Sequence, residues 1–117
     1  MLNESLKTAT KIKDNALIYN NSNIKVYYIS SFNEAYELGK GTQWCTSLNQ
    51  GQFDLYHNVY DMYIINNNNR DDNFSKICYL VNNTEEMIVD KNNIHYFSDN
   101  KNYLKIKREV IPDFEDK

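Results

Sequence analysis

The sequence predicts an α+β fold built on an antiparallel sheet, and three observations carry that prediction. The chain has 117 residues, the size of one domain with a single hydrophobic core. Between Ile24 and Phe97, runs rich in β-branched and aromatic residues are separated by asparagine-rich connections, the pattern of a meander. Helical periodicity is confined to the beginning, a short stretch before Gly39 and the end. The expected architecture is therefore a single domain over residues 1–117, with an antiparallel sheet of about four to five strands and N-terminal, short central and C-terminal helices.

In order, Leu2, Leu6, Ala9, Ile12 and Ala16 fall at spacings of three and four, which predicts an amphipathic helix over residues 3–18. Asn20, Asn21 and Asn23 end it, because asparagine competes for backbone hydrogen bonds. Residues 24–29, Ile-Lys-Val-Tyr-Tyr-Ile, read as a strand. Ser31-Phe-Asn-Glu34 fits a capping box and starts a short helix over Phe32 to Leu38, which Gly39 should end in a left-handed conformation. Residues 48–58 fit either a short helix or a loop. Tyr60–Ile65 and Phe74–Val81 read as a hairpin with a long Asn66–Asn73 tip, followed by strands at Glu86–Asp90 and Ile94–Phe97. A last helix, capped at Ser98 or Asp99, should stop before Pro112.

Composition narrows the function classes. A net charge of -3 and a pI near 5.3 leave no basic footprint for general nucleic-acid binding. No run approaches the length of a membrane span and no apolar leader follows Met1, so a cytoplasmic protein is expected, with Cys45 and Cys78 as free thiols. The nineteen asparagines account for the sequons at Asn3, Asn20, Asn73 and Asn82 without any glycan.

Residues 37–47, Glu-Leu-Gly-Lys-Gly-Thr-Gln-Trp-Cys-Thr-Ser, concentrate the rare residue types: Gly39, Gly41, the single tryptophan Trp44, and Cys45. Cys45 after a glycine turn is the candidate nucleophile, with His57 or His95 as its base. Packing is the competing role for that thiol. Gly39, Gly41 and Trp44 read as a structural turn, with the indole anchored in the core; stacking of Trp44 on a nucleobase is the alternative. Lys40-Gly41-Thr42 lacks the upstream glycine and spacing of a phosphate loop. Cys45, Cys78, His57 and His95 show no paired short spacing, so neither a metal nor any other cofactor is expected. Asp90, Asp99, Glu85, Glu86 and the Asp71-Asp72 pair read as solvated carboxylates.

Ten tyrosines are more than a domain this small should bury with every hydroxyl satisfied. Exposed tyrosines among asparagines suit a protein-binding surface, because they combine apolar area with adaptable hydrogen bonding. Strand geometry nominates Tyr60, Tyr63, Tyr79 and Tyr96, with Arg70 and the Asn66–Asn73 loop, as partner-binding residues.

The stretch Leu38–Thr46, followed by Phe53, Tyr56 and the strand 62–65, resembles a loosely defined group of small phage and mobile-element proteins. Their pattern is a Gly-x-Gly-Thr-x-Trp-Cys-Thr turn, a Phe-x-x-Tyr step and a β-hairpin. The resemblance spans roughly residues 24–97, and the later half departs from the pattern in being richer in asparagine and less regular. It implies a phage setting, in which small acidic proteins often inhibit host or bacterial-defence machinery by stoichiometric binding, as anti-CRISPR proteins do. The expected function is such an inhibitor, with a bacterial defence effector as protein partner. The alternatives are a cysteine-dependent hydrolase or transferase using Cys45, and a nucleotide or small-ligand sponge that stacks its ligand on Trp44 and tyrosines.

Overall fold

The computed structural model describes residues 16–112. Among them, six strands form one antiparallel sheet whose spatial order equals their order in the chain: β1 Leu17–Asn21, β2 Ile24–Ile29, β3 Asp61–Asn67, β4 Lys76–Val81, β5 Glu86–Val89 and β6 His95–Phe97. Helices α1 Phe32–Leu38, α2 Cys45–Leu48 and α3 Gln50–His57 lie between β2 and β3, and α4 Tyr103–Val110 follows β6. The α+β class and the antiparallel sheet are those the sequence predicts, but the sheet has six strands instead of four to five.

The extra strand is β1. The helix expected over residues 3–18 falls outside the described residues except at 16–18: Ala16 is helical, while Leu17 and Ile18 already belong to Leu17–Asn21, which pairs with β2. The asparagines taken as helix breakers lie in the strand and its two-residue connection, Ser22-Asn23. A register shift between Leu17 and Tyr19 sets Leu17 opposite Tyr27 and Tyr19 opposite Val26. The extra residue lets Leu17 pack on one face of the sheet and Tyr19 on the other, which strict alternation would forbid.

Each face carries its own core. Ile29, Met62, Leu80 and Met87 lie opposite one another across β2–β5, with Tyr27, Ile64, Cys78 and Val89 as the next row. These rows meet Ala35 and Leu38 of α1, Trp44, and Phe53 of α3. On the opposite face Val26, Ile65, Ile77, Tyr79 and Ile88 meet Tyr103 and Val110 of α4. Residues Ile77–Leu80 of β4 are buried in succession, as a central strand covered on both faces must be.

The local signals explain the helices. Ser31 Oγ accepts from the Glu34 amide at 3.3 Å, while the Glu34 carboxylate reaches one residue beyond the cap to the Ser30 amide at 2.6 Å. Residues 50–57 form a helix because Asn49 caps them, its Oδ1 accepting from the Gln52 amide at 3.0 Å. The last helix begins at Tyr103, later than Ser98 or Asp99, since residues 98–102 are turns; its cap position, Asn102, makes no side-chain capping bond.

Gly39 corrects a second expectation. Its φ of -89° is not left-handed; Gly41, at φ +88°, supplies that conformation. Gly39 is required by packing instead, since a Cβ there would lie 1.9 Å from Ser47 Oγ, which donates to the Ala35 carbonyl at 2.8 Å. The missing side chain lets α2 close against α1.

Candidate functional site

The glycine turn leads into a buried junction. Thr42 Oγ1 donates to the Gly39 carbonyl at 2.6 Å, and Trp44, 1% exposed, donates its Nε1–H to the Asp90 carbonyl at 2.6 Å. The Gln43 amide bonds the Lys91 carbonyl at 2.9 Å. Asp90 is fully buried, not a solvated turn residue. Its Oδ1 accepts from the Asn92 and Ile94 amides, both at 3.0 Å, and its Oδ2 accepts from Asn73 Nδ2 and, at 3.0 Å, from the Tyr96 hydroxyl. One residue thus joins the glycine turn, the β3–β4 loop and the β5–β6 turn. That turn also holds Asn93 at φ 69°, a left-handed conformation that asparagine tolerates better than most residues.

Stacking of a nucleobase on Trp44 is contradicted by this burial. The cavity beside the indole, lined in part by Tyr56, Cys78, Val89 and His95, holds about 50 Å³, well below the ~300 Å³ at which ligand pockets begin.

The cysteine and histidine candidates are placed as follows. Cys45 opens α2, but its side chain lies outside the described residues, so its expected role as a nucleophile meets no geometry. Cys78 is a buried free thiol, and burial pushes its pKa up to about 12, far from thiolate chemistry. His95 stands across Val89 from Cys78, two strands and roughly 10 Å away along the sheet. Its Nδ1 lies 3.1 Å from the Asn93 carbonyl. His57 stacks on Phe53 at 4.9 Å and has Nε2 3.1 Å from the Ile29 carbonyl. Among the described residues, no three His, Cys, Asp or Glu side chains are grouped to hold a metal ion, and no helix is long and apolar enough to cross a membrane.

The nominated tyrosines do not share one exposed face. Tyr79 is buried beneath α4, a correction to its expected exposure: its hydroxyl donates to Glu86 Oε1 at 3.0 Å, as does that of buried Tyr103 at 2.9 Å. Lys107 Nζ reaches the same oxygen at 2.7 Å. Burial works to raise the Glu86 carboxyl, but the hydrogen bonds from Lys107, Tyr103 and Tyr79 outweigh it and hold the group below its usual range. Burial first, then Glu86, pushes Tyr79 up to about 12. Tyr96 is half-buried on Asp90, and Tyr60 donates to Glu85 at 2.7 Å, which with some burial pushes its hydroxyl up to about 12. Carboxylates placed at strand ends and turns therefore satisfy many more tyrosine hydroxyls than composition suggests. The open tyrosine surface lies over β2 and β3, where 36%-exposed Tyr28 packs on half-buried Tyr63 at 5.3 Å and Tyr63 on Tyr79 at 6.0 Å.

Arg70 lies elsewhere, in a cleft of about 410 Å³ at the end of the sheet where β3 leads into β4. Lys40, Lys76, Lys91 and Asn66–Asn68 share that lining. Sequence reading missed the three lysines, since each sits in a different segment and only the fold collects them.

Comparison with known proteins finds no match: no family model fits the chain, and no curated protein or solved structure is significantly similar to it.

Proposed function

We propose that the chain is a non-catalytic binding module that occludes a protein partner by stoichiometric interaction, acting as an inhibitor in the bacterial cytoplasm. The phage-like turn motif supplies the setting, with a defence effector as the partner class. The observation that carries the reading is the incomplete cover of one sheet face among the described residues. An eight-residue helix such as α4 is about 12 Å long, whereas six strands extend over about 24 Å. Bonds to Glu86 anchor α4, and its core takes in Val26 and Ile65 of β2 and β3, but Tyr28, Tyr63, Tyr19 and Ile24 at the margins of that core stay only partly covered. Aromatic side chains of this kind, rigid and amphipathic, form the anchors of protein interfaces.

The test is affinity capture from a bacterial lysate rich in defence proteins, comparing the native chain with Tyr28→Ala, Tyr63→Ala and Leu104→Ala, the last an exposed apolar site on α4. The proposal predicts one captured partner at a one-to-one ratio, lost in both tyrosine variants and kept in Leu104→Ala. Capture that survives both tyrosine substitutions would remove this face from the reading.

A further inference from the structure

We propose that the cleft lined by Lys40, Arg70, Lys76 and Lys91 is a binding site for a phosphoryl-bearing small anion, either a nucleotide or free inorganic phosphate or pyrophosphate. The chain as a whole is acidic, at net charge -3, yet the cleft draws four of its thirteen Lys and Arg residues from three segments and has no carboxylate in its lining. Lys40 comes from the turn after α1, Arg70 and Lys76 from the β3–β4 connection and β4, and Lys91 from the β5–β6 turn. Convergence of that kind is what a multiply charged oxyanion needs, and it exceeds what one carboxylate would neutralise.

The remaining lining is neutral and polar: Asn66, Asn67, Asn68 and Ser75 offer amide and hydroxyl groups, and Gly41 presents an open backbone with nothing within 4 Å of where a Cβ would lie. The cleft volume of about 410 Å³ falls within the range of small-molecule sites.

The cations are positioned before any ligand arrives. Lys76 Nζ donates to the Lys40 carbonyl at 2.9 Å, and Lys91 Nζ donates to Ser75 Oγ at 3.2 Å. Arg70 is held in a two-point pair with Asp72, at 3.1 and 2.8 Å, over the Phe74 ring. Carboxylates flank the cleft without lining it: Asp72 pairs with Arg70, and Glu37 pairs with Lys40 at 3.2 Å. Both flanking pairs are exposed enough to be weak competitors for a phosphoryl group. The backbone is fixed as well, because the Lys91 amide bonds the Asn73 carbonyl at 3.0 Å and the Asn67 amide bonds the Ser75 carbonyl at 2.8 Å. Three segments tied in this way lose little freedom on binding.

This site is independent of the tyrosine surface, and a ligand here would mark a second activity of the same domain. Isothermal titration calorimetry of the full chain against pyrophosphate, inorganic phosphate, ATP and adenosine at low salt tests it. Saturable binding of at least one phosphoryl compound is expected, with none for adenosine. ATP binding more tightly than pyrophosphate identifies a nucleotide; equal binding identifies the phosphoryl group alone. Lys91→Gln and Lys76→Gln should each weaken binding about tenfold, while Lys105→Gln, an equal charge change on exposed α4, leaves it unchanged. Amide chemical-shift changes confined to residues 40–41, 66–68, 75–76 and 91 would place the ligand. No saturable binding by any phosphoryl compound overturns the proposal, and so does equal weakening by Lys105→Gln, which would mean diffuse electrostatics.

Discussion

Replacing Asp90 with asparagine removes one charge and almost no volume, so its cost isolates what the carboxylate does at the junction. Asp90→Asn leaves one oxygen for the Asn92 and Ile94 amides, although a neutral acceptor binds them less strongly. The other position becomes an amide facing two donors, Asn73 Nδ2 and the Tyr96 hydroxyl. Tyr96 can rotate its proton to accept, but Asn73 must flip or lose its partner. With about 1.5–2 kcal/mol for a hydrogen bond to a charged group, the lower part of the usual range, against about 1 kcal/mol for a neutral one, the four contacts together lose about 2–4 kcal/mol. That is a large share of the roughly 5–15 kcal/mol by which a domain of this size is stable. Urea unfolding followed by Trp44 fluorescence and far-ultraviolet circular dichroism measures it. The midpoint should fall by about 2 M with an unchanged m-value, using about 1–2 kcal/mol per M for the slope. Asp99→Asn, an exposed site with the same charge change, should stay within about 0.5 kcal/mol of the native chain. Equal effects of the two substitutions would refute the reasoning, because only net charge would then matter.

The remaining predictions concern the glycine turn, the α4 clamp and the thiol. Gly39→Ala should cost about 1–3 kcal/mol by driving a Cβ into Ser47 and to 2.7 Å from the Ala35 carbonyl, and a Gly39→Ala, Ser47→Gly double variant should recover only the part due to Ser47; Gly41→Ala, strained only by its φ of +88°, should cost about 1 kcal/mol with no rescue. Glu86 holds its proton more weakly when folded, so its contribution is complete above the ordinary glutamate pKa and is lost as pH falls through its lowered folded value; acid titration of thermal stability should show this loss below about pH 4.5, and Glu86→Gln should show a smaller slope there. Cys78 should stay unreactive toward a thiol reagent under native conditions at pH 8 and become reactive only as fast as the domain opens; immediate labelling, mapped to Cys78 by mass spectrometry, would contradict its burial.

Signals that live within a few residues could be read from the sequence. The Ser31 and Glu34 spacing placed α1 over Phe32–Leu38, and the aromatic and β-branched runs placed β2 to β6 to within a few residues. What escaped reading depends on distant partners. β1 follows directly on the stretch with helix-like apolar spacing and holds two of the three asparagines read as its end, yet it is a strand because β2 offers it an edge and a bulge splits Leu17 and Tyr19 between two cores. Asp90 follows a strand and precedes Lys91-Asn92-Asn93, which reads as a solvated turn until Trp44, Asn73 and Tyr96 are seen to close over it. Tyr79 alternates along β4 like a surface residue but is covered by α4, whose position is set by Glu86. The basic cleft left no trace in the sequence because its cations lie as many as fifty-one residues apart, from Lys40 to Lys91.

The division between binding and catalysis is tested most directly by titrating the chain against its captured partner and following the partner's activity. Occupancy predicts a linear loss that ends at one equivalent, reverses on dilution or competition, and is the same for Cys45→Ser. Inactivation by much less than one equivalent, abolished in a folded Cys45→Ser variant, would contradict the account and establish Cys45 as a nucleophile.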